Sequence, residues 1–190
     1  MYLCMNGKAE LVSVVYDAIN EIGKNKIRSD VTSNIKIADK YMHTILNKSS
    51  KQLGYRLNSD SLITMYEILL HFMLTACTIP SQRKAHISNF TIDLVIPSLK
   101  TLSGRPNDAI ILQFIRSNQD KTTIDEIMSL LKLETEDLNV WLITTMDLRS
   151  KDTIRVIKLS EQETCWSHII SDIDTFLNER RDKSFRLVHF

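Results

Sequence analysis

The expected fold class depends most on one stretch, residues 107–160, which reads NDAIILQFIRSNQDKTTIDEIMSLLKLETEDLNVWLITTMDLRSKDTIRVIKLS. Apolar residues at helical spacing predict three helices in this stretch, and alternating apolar and basic residues then predict a strand. Thr123 with Glu126 three residues later forms a capping-box pattern, which supports a helix start. The four elements are expected to begin near Asn107, Thr123, Thr135 and Ile154. Three helices followed by a basic strand is the order of a winged helix.

Residues 108–159 resemble the winged-helix part of PCI-type subunits of the proteasome lid and signalosome. The runs TTIDEI, residues 122–127, and LETEDL, residues 133–138, resemble the two helix starts of that unit. The resemblance implies a helical array that carries a winged helix.

The segments on either side of this stretch also predict helices. Residues 9–57 carry apolar stripes at three-four spacing and are a possible helix-turn-helix unit, and residues 62–79 form an almost uncharged run interrupted by Glu67 and His71. Helical spacing resumes over residues 81–96, and a terminal helix is expected over residues 161–181. Gly104-Arg105-Pro106 is the clearest boundary, which divides the chain into a helical region, 1–104, and a winged-helix-like region, 105–190.

Composition agrees with a helical protein. The chain has 190 residues, of which 43% are hydrophobic and 25% charged, with only 4 Gly and 3 Pro. So few turn residues disfavour an all-β sandwich or barrel. We therefore predict a mainly α fold with a short strand and a terminal helix. The 3 Cys are widely separated, which favours a reducing intracellular compartment, cytoplasm or nucleus, and no membrane span is expected.

Enzyme signatures are absent from the sequence. Its glycines form no phosphate-binding loop, and no two histidines lie four residues apart on one helix. His71, between apolar neighbours, is interpreted as a structural histidine. The sequence therefore predicts no enzymatic activity, no cofactor, no metal site and no catalytic residue, although a small enzyme whose site is assembled from distant residues stays open.

Basic residues concentrate in residues 24–56, where they outnumber acidic ones. On the helix expected over residues 38–51, lysines lie opposite the apolar stripe, as contact with a phosphate backbone would require. The candidate nucleic-acid-binding residues are Lys36, Lys40, Lys48 and Lys51. A solvated lysine-rich face that binds nothing is the alternative interpretation.

Acidic residues concentrate later, around the start of the third expected helix, where they would repel DNA. The apolar, basic end of the chain is expected either to pack back on the domain or to dock into a partner. Candidate partner-binding residues are Glu134, Glu136, Asp137, Phe185, Leu187 and Phe190. These patterns predict a non-enzymatic protein-protein interaction subunit or adaptor of a larger assembly, bound to another protein or to a second copy. The alternative hypothesis is a nucleic-acid-binding regulator that uses residues 38–51.

Overall fold

The computed structural model of the protein describes residues 3–54, 58–87, 90–116, 138–147, 154–159 and 164–186. Four helices precede the sheet: α1 (Leu3–Ile22), α2 (Lys24–Ser33), α3 (Ile37–Leu53) and α4 (Ser59–Ala76). The strands are β1 (Gln82–Ile87), β2 (Phe90–Ile96), β3 (Ile110–Ile115), β4 (Asn139–Thr144) and β5 (Ile154–Lys158). Helix α5 (Leu99–Gly104) and a 3-10 turn at Pro106–Asp108 connect β2 to β3, and α6 (Trp166–Arg186) is the last described helix.

The five strands form one mixed sheet in the order β1-β2-β3-β4-β5. The pairs β1–β2 and β2–β3 are antiparallel, whereas β3–β4 and β4–β5 are parallel. Strand β3 is apolar on both faces: Leu112 and Phe114 join the core cluster that includes the helices, and Ile111 and Ile115 join a second cluster on the opposite face. Burial on both faces is typical of strands with parallel neighbours, and it explains the continuous apolar run in this segment.

Helix α4 lies at the centre of the helical layer. It contacts α1, α2, α3 and α6 and also strands β2 and β3, and its side chains are buried almost all round. Burial on nearly every side explains why residues 62–79 form an almost uncharged run. Tyr66 of α4 stacks on Trp166 of α6 with ring centroids 5.0 Å apart, which adds an aromatic contact to the area buried between the two helices.

The start of α6 is held by a carboxylate from α3. Asp39 accepts hydrogen bonds from the Ser167 backbone N–H at 2.9 Å and from the Ser167 hydroxyl at 2.5 Å. A helix N-terminus favours negative charge and needs acceptors for its unpaired N–H groups. Asp39 therefore joins the early and late parts of the chain at a helix end.

The phenol of Tyr41, in the helical layer, makes a contribution to stability that depends on pH. The hydroxyl of Tyr41 donates to Asp30 at 2.5 Å, and this hydrogen bond, burial and the charge of Asp30 together raise the pKa of Tyr41 to about 12. Because the pKa is raised on folding, the contribution is fully present below the unfolded value of 10.0 and is lost as pH rises toward 12.

Tyr41→Phe should lower the free energy of unfolding at about pH 8 by about 1–3 kcal/mol, since it removes a hydrogen bond to a charged acceptor. The difference in free energy of unfolding between variant and wild type should become smaller as pH rises through about 10 to 12. Urea unfolding curves measured across that pH range test this. Tyr16→Phe, at a phenol close to the Lys24 ammonium, is the control. A gap that stays constant with pH would contradict the assignment.

The predicted mainly α, winged-helix fold is wrong. Within residues 81–96 the structure has the antiparallel strands β1 and β2, and the first and third expected helices of residues 107–160 are instead β3 and β4. The expected strand at 154–159 is confirmed as β5, while the expected second helix lies outside the described residues. The error has a physical cause: a short run that is apolar on both faces has the same pattern whether it is a buried strand or a buried helix.

The helices expected within residues 9–57, over residues 62–79 and near the end of the chain are confirmed within the described ranges, while the helix-turn-helix interpretation of residues 9–57 stays a prediction. The proposed boundary at residue 104 stays a prediction. Leucines from α1 and α6, on either side of that boundary, belong to the same core cluster. Within the described residues, no helix is both long and apolar enough to cross a bilayer.

Candidate active site

An acidic side chain lies inside the most apolar helix. Glu67 of α4 is fully buried, in a helix surrounded by isoleucine, leucine and methionine. Burial of a carboxylate away from water is costly unless cations and hydrogen bonds compensate it. Glu67 points toward the sheet edge, where it meets Arg83 and Lys84 of β1 and Arg116, which directly follows β3.

A second buried carboxylate lies where the antiparallel ladder opens. The β2–β3 register runs from Ile96 to Leu94, and Asp93 is the next residue along β2. The Asp93 backbone N–H donates to the side-chain oxygen of Gln113 at 3.1 Å, and the Phe114 backbone N–H donates to the Asp93 carboxylate at 2.9 Å. Side-chain acceptors thus replace the ladder hydrogen bonds at this point. The Phe114 backbone N–H also fixes the position of the Asp93 carboxylate.

The alternation of side chains between the two faces of strand β2 is also interrupted at Asp93. Ile92 belongs to the second core cluster and Leu94 to the helix-side cluster, although residues two apart in a regular strand share a face. On β1, Lys84 lies opposite Asp93, between the paired positions Arg83 and Ala85, and has a φ of 53°. Such a positive φ costs a non-glycine residue about 1–3 kcal/mol and is often found at functional sites.

Three cations compensate the two carboxylates. The Lys84 ammonium bridges them, at 2.8 Å from Glu67 and 2.5 Å from Asp93. Arg83 donates to Glu67 at 2.7 Å, and Arg116 donates to Glu67 and, at 3.1 Å, to Asp93. We call these five residues the charge cluster: Glu67, Asp93, Arg83, Lys84 and Arg116. Its formal charge is positive, so it can attract an anion such as a phosphate.

His71 lies one helical turn beyond Glu67 and borders the charge cluster. Burial lowers the pKa of His71, and the positive charge of Arg83 lowers it further, while Glu67 acts in the opposite direction. Its Nδ1 shares a 2.9 Å hydrogen bond with the Ser81 hydroxyl. A half-buried imidazole with a lowered pKa is mostly neutral at physiological pH. That state suits the structural role expected from the sequence.

Glu67 and Asp93 are the only candidates for holding a metal in the charge cluster. One oxygen of each faces the same Lys84 nitrogen, so the pair already converges on one cation. Two hard carboxylate oxygens, with water and phosphate completing the set, suit Mg²⁺. Among the described residues, no three or more His, Cys, Asp or Glu side chains gather as a metal site. The oxygens of Glu67 and Asp93 are therefore donors of the type that a divalent ion takes, and in this arrangement the Lys84 nitrogen lies between them.

The predicted nucleic-acid-binding lysines lie elsewhere, at the start of α3 and along it. Lys36, Lys40 and Lys51 are exposed, whereas Lys48 pairs with Glu21 of α1 at 2.5 Å. These lysines stay a prediction. Glu134, Glu136, Asp137, Leu187 and Phe190 lie outside the described residues. Phe185 is part of α6, and its side chain is also outside them.

The expected separation of charge by sign is only partial, because later basic residues pair with nearby acids. Lys158 lies 2.5 Å from Asp147, and Arg155 of β5 pairs with Asp172 of α6. The interaction-subunit hypothesis depended on opposed charged faces, and the first of these pairs neutralises Asp147 of the later acidic stretch. Each pair is largely exposed, so its contribution to stability is small.

Solved structures share this arrangement of helices and sheet. A complex of the restriction endonuclease PspGI with substrate DNA has a TM-score of 0.61 at 14% identity, covering 89% of this chain and 93% of that one. The fold of this chain is therefore similar to that of this restriction endonuclease. Metal-depleted Ecl18kI in complex with uncleaved, modified DNA has a TM-score of 0.62 at 11% identity, covering 89% of this chain and 78% of that one. No protein-family model and no curated protein matches the sequence.

The likeness to these endonucleases corrects several predictions from the sequence. The resemblance to PCI-type subunits is wrong, because the similar structures are endonucleases and residues 110–115 and 139–144 are strands. The adaptor function and the absence of enzymatic activity, which both depended on missing catalytic motifs, are also contradicted, because the similar structures are DNA-bound endonucleases. The nucleic-acid alternative fits the similar structures better. The all-α and complex-subunit descriptions are corrected with them.

The sequence did contain a signal for the missed site. Glu67 and Asp93 are lone acids inside apolar runs, ITMYEILL and FTIDLVI, where a charge is costly unless it is paired. Arg83, Lys84 and Arg116 follow no spacing that would connect them to either acid. Only the sheet, which places β1 and the end of β3 beside α4, brings the five side chains together.

Proposed function

We propose that this chain is a DNA endonuclease that hydrolyses phosphodiester bonds at the charge cluster. The observation that carries the proposal is the convergence of two buried carboxylates and three cations where the β2–β3 ladder opens, in a fold shared with DNA-bound restriction endonucleases. Phosphoryl transfer needs positive charge around the phosphate and carboxylates that hold a metal ion, and the charge cluster offers both.

Each side chain has a distinct part in this proposal. Glu67 and Asp93 would hold a divalent cation, which supplies a Lewis acid to the phosphate and lowers the pKa of a bound water. The Phe114 N–H and Arg116 fix the orientation of Asp93, and Arg83 fixes that of Glu67. Lys84 is exposed in part, so its ammonium can reach a phosphate oxygen on the substrate.

DNA as the substrate agrees with the nucleic-acid partner expected as an alternative from the sequence, and its support is that the similar structures are complexes with DNA. The expected intracellular location stays a prediction. The exposed lysines Lys36, Lys40 and Lys51 could add phosphate contacts outside the charge cluster. Such contacts would position the duplex without reading its sequence.

The proposal predicts Mg²⁺-dependent cleavage of duplex DNA by the purified full chain. Genomic DNA and supercoiled plasmid would be incubated with the protein in Mg²⁺, in Mn²⁺ and in EDTA, and the products separated on gels. We expect nicked, linear or fragmented DNA with either divalent ion and intact DNA in EDTA. DNA left intact under all three conditions, by protein that binds it, would overturn the nuclease function and leave a DNA-binding protein.

A further inference from the structure

The position between the two buried carboxylates is occupied by a side chain of the protein itself. We infer that Lys84 is a displaceable internal cation, which keeps the Glu67–Asp93 pair closed to divalent ions until it is drawn away. The inference rests on the proposed function for its biological meaning. The underlying geometry is a single Lys84 nitrogen 2.8 Å from Glu67 Oε2 and 2.5 Å from Asp93 Oδ1.

Each oxygen of the two carboxylates already accepts at least one hydrogen bond in this arrangement. Glu67 Oε1 accepts from Arg83, and its Oε2 accepts from Lys84 and Arg116. Asp93 Oδ1 accepts from Lys84 and, at 3.3 Å, from Arg116, and its Oδ2 accepts from the Phe114 N–H and from Arg116. Adding a divalent ion to a cluster that is already positive is electrostatically unfavourable. One of the cations must therefore leave when the ion binds.

Lys84 is the cation that can leave most easily. Its side chain is 40% exposed, compared with 25% for Arg83 and 24% for Arg116, so its ammonium can return to water or reach a phosphate. Arg116 is held by several bonds, to both carboxylates and to the Phe114 carbonyl. Lys84 contacts the pair through one nitrogen on a flexible stem.

The inference predicts that removing the Lys84 ammonium improves binding of divalent ions without DNA. Calorimetric titration of the full chain with Mn²⁺ should show at least about tenfold tighter binding for Lys84→Met than for wild type, because a unit charge beside the ion repels it. Lys100→Met, at an exposed lysine of α5, is the matched control and should bind Mn²⁺ as wild type does. Equal or weaker binding by folded Lys84→Met would overturn the inference.

A second variant and a folding measurement cover the case in which Lys84→Met does not fold in EDTA. Lys84→Gln keeps a hydrogen-bond donor without the charge. Circular dichroism melts of both variants with and without Mn²⁺ should show recovery of folding by the ion, since the ion would replace the ammonium between Glu67 and Asp93. Variants that stay unfolded at saturating Mn²⁺ would also overturn the inference.

The two proposals fail separately. Loss of the nuclease function would appear as intact DNA with the wild-type chain and Mg²⁺, whatever the Lys84 variants bind. Loss of the Lys84 inference would appear as unchanged Mn²⁺ affinity in Lys84→Met, even if the wild-type chain cleaves DNA.

Discussion

Asp93→Asn should reduce DNA cleavage by at least about a thousandfold, because the proposed reaction depends on the negative charge that holds the divalent ion. The asparagine keeps an oxygen that can accept from the Phe114 N–H, so the local backbone should be preserved. DNA binding should stay within about threefold of wild type, since removing a negative charge does not remove phosphate contacts. Cleavage rates in Mg²⁺ and gel-shift affinities in EDTA measure the two effects.

Asp172→Asn is the matched control for this variant. Asp172 is a half-exposed carboxylate of α6 that also pairs with an arginine, Arg155, but it lies outside the charge cluster. It should cleave DNA at the wild-type rate. An Asp93→Asn protein that melts near the wild-type temperature and keeps a tenth or more of the activity would contradict the assignment of Asp93 to the reaction.

The largest effect on stability is expected at Glu67. Glu67→Ala should lower the free energy of unfolding by about 2–4 kcal/mol. The truncation leaves a cavity beside α4 and removes the Glu67 carboxylate from its ion pairs with Arg83, Lys84 and Arg116. The partial exposure of those cations reduces the cost below that of a fully buried charge. Glu67→Gln keeps the volume and one acceptor oxygen, so its loss should be smaller. Urea unfolding monitored by circular dichroism measures both.

Glu21→Gln provides the comparison for a surface ion pair. Glu21 meets Lys48 at 2.5 Å, but both side chains are largely in water, so its removal should change stability by no more than about 0.5 kcal/mol. If the Glu67→Ala protein were as stable as Glu21→Gln, the ion pairs of Glu67 in the charge cluster would not stabilise the fold. That result would contradict the expectation.

The helical part of the fold could be predicted from the sequence because its pattern is local. The stripe through α3 and the uncharged run of α4 each bury side chains at helical spacing, and both helices lie where expected. Strand β5 was also predictable, because Arg155 and Lys158 interrupt its apolar residues. Strand β3 was not, since IILQFI is apolar on both faces and has no period that separates strand from helix.

The charge cluster shows the same division between local and tertiary information. Glu67 and Asp93 are separated by 26 positions, and Arg116 lies a further 23 positions along the chain. No helix period or motif spacing connects them. They meet because β1, β2 and β3 are neighbours in the sheet and α4 packs across β2 and β3.

The sequence by itself determined the helical layer and the need to compensate two lone acids in apolar runs, because both follow from the cost of placing each residue in water or in a core. Only the tertiary structure decided that residues 110–115 and 139–144 are adjacent parallel strands, and which cations meet Glu67 and Asp93. Strand pairing and ion pairing depend on residues distant in the chain. A local pattern carries no information about which distant segment will lie beside it.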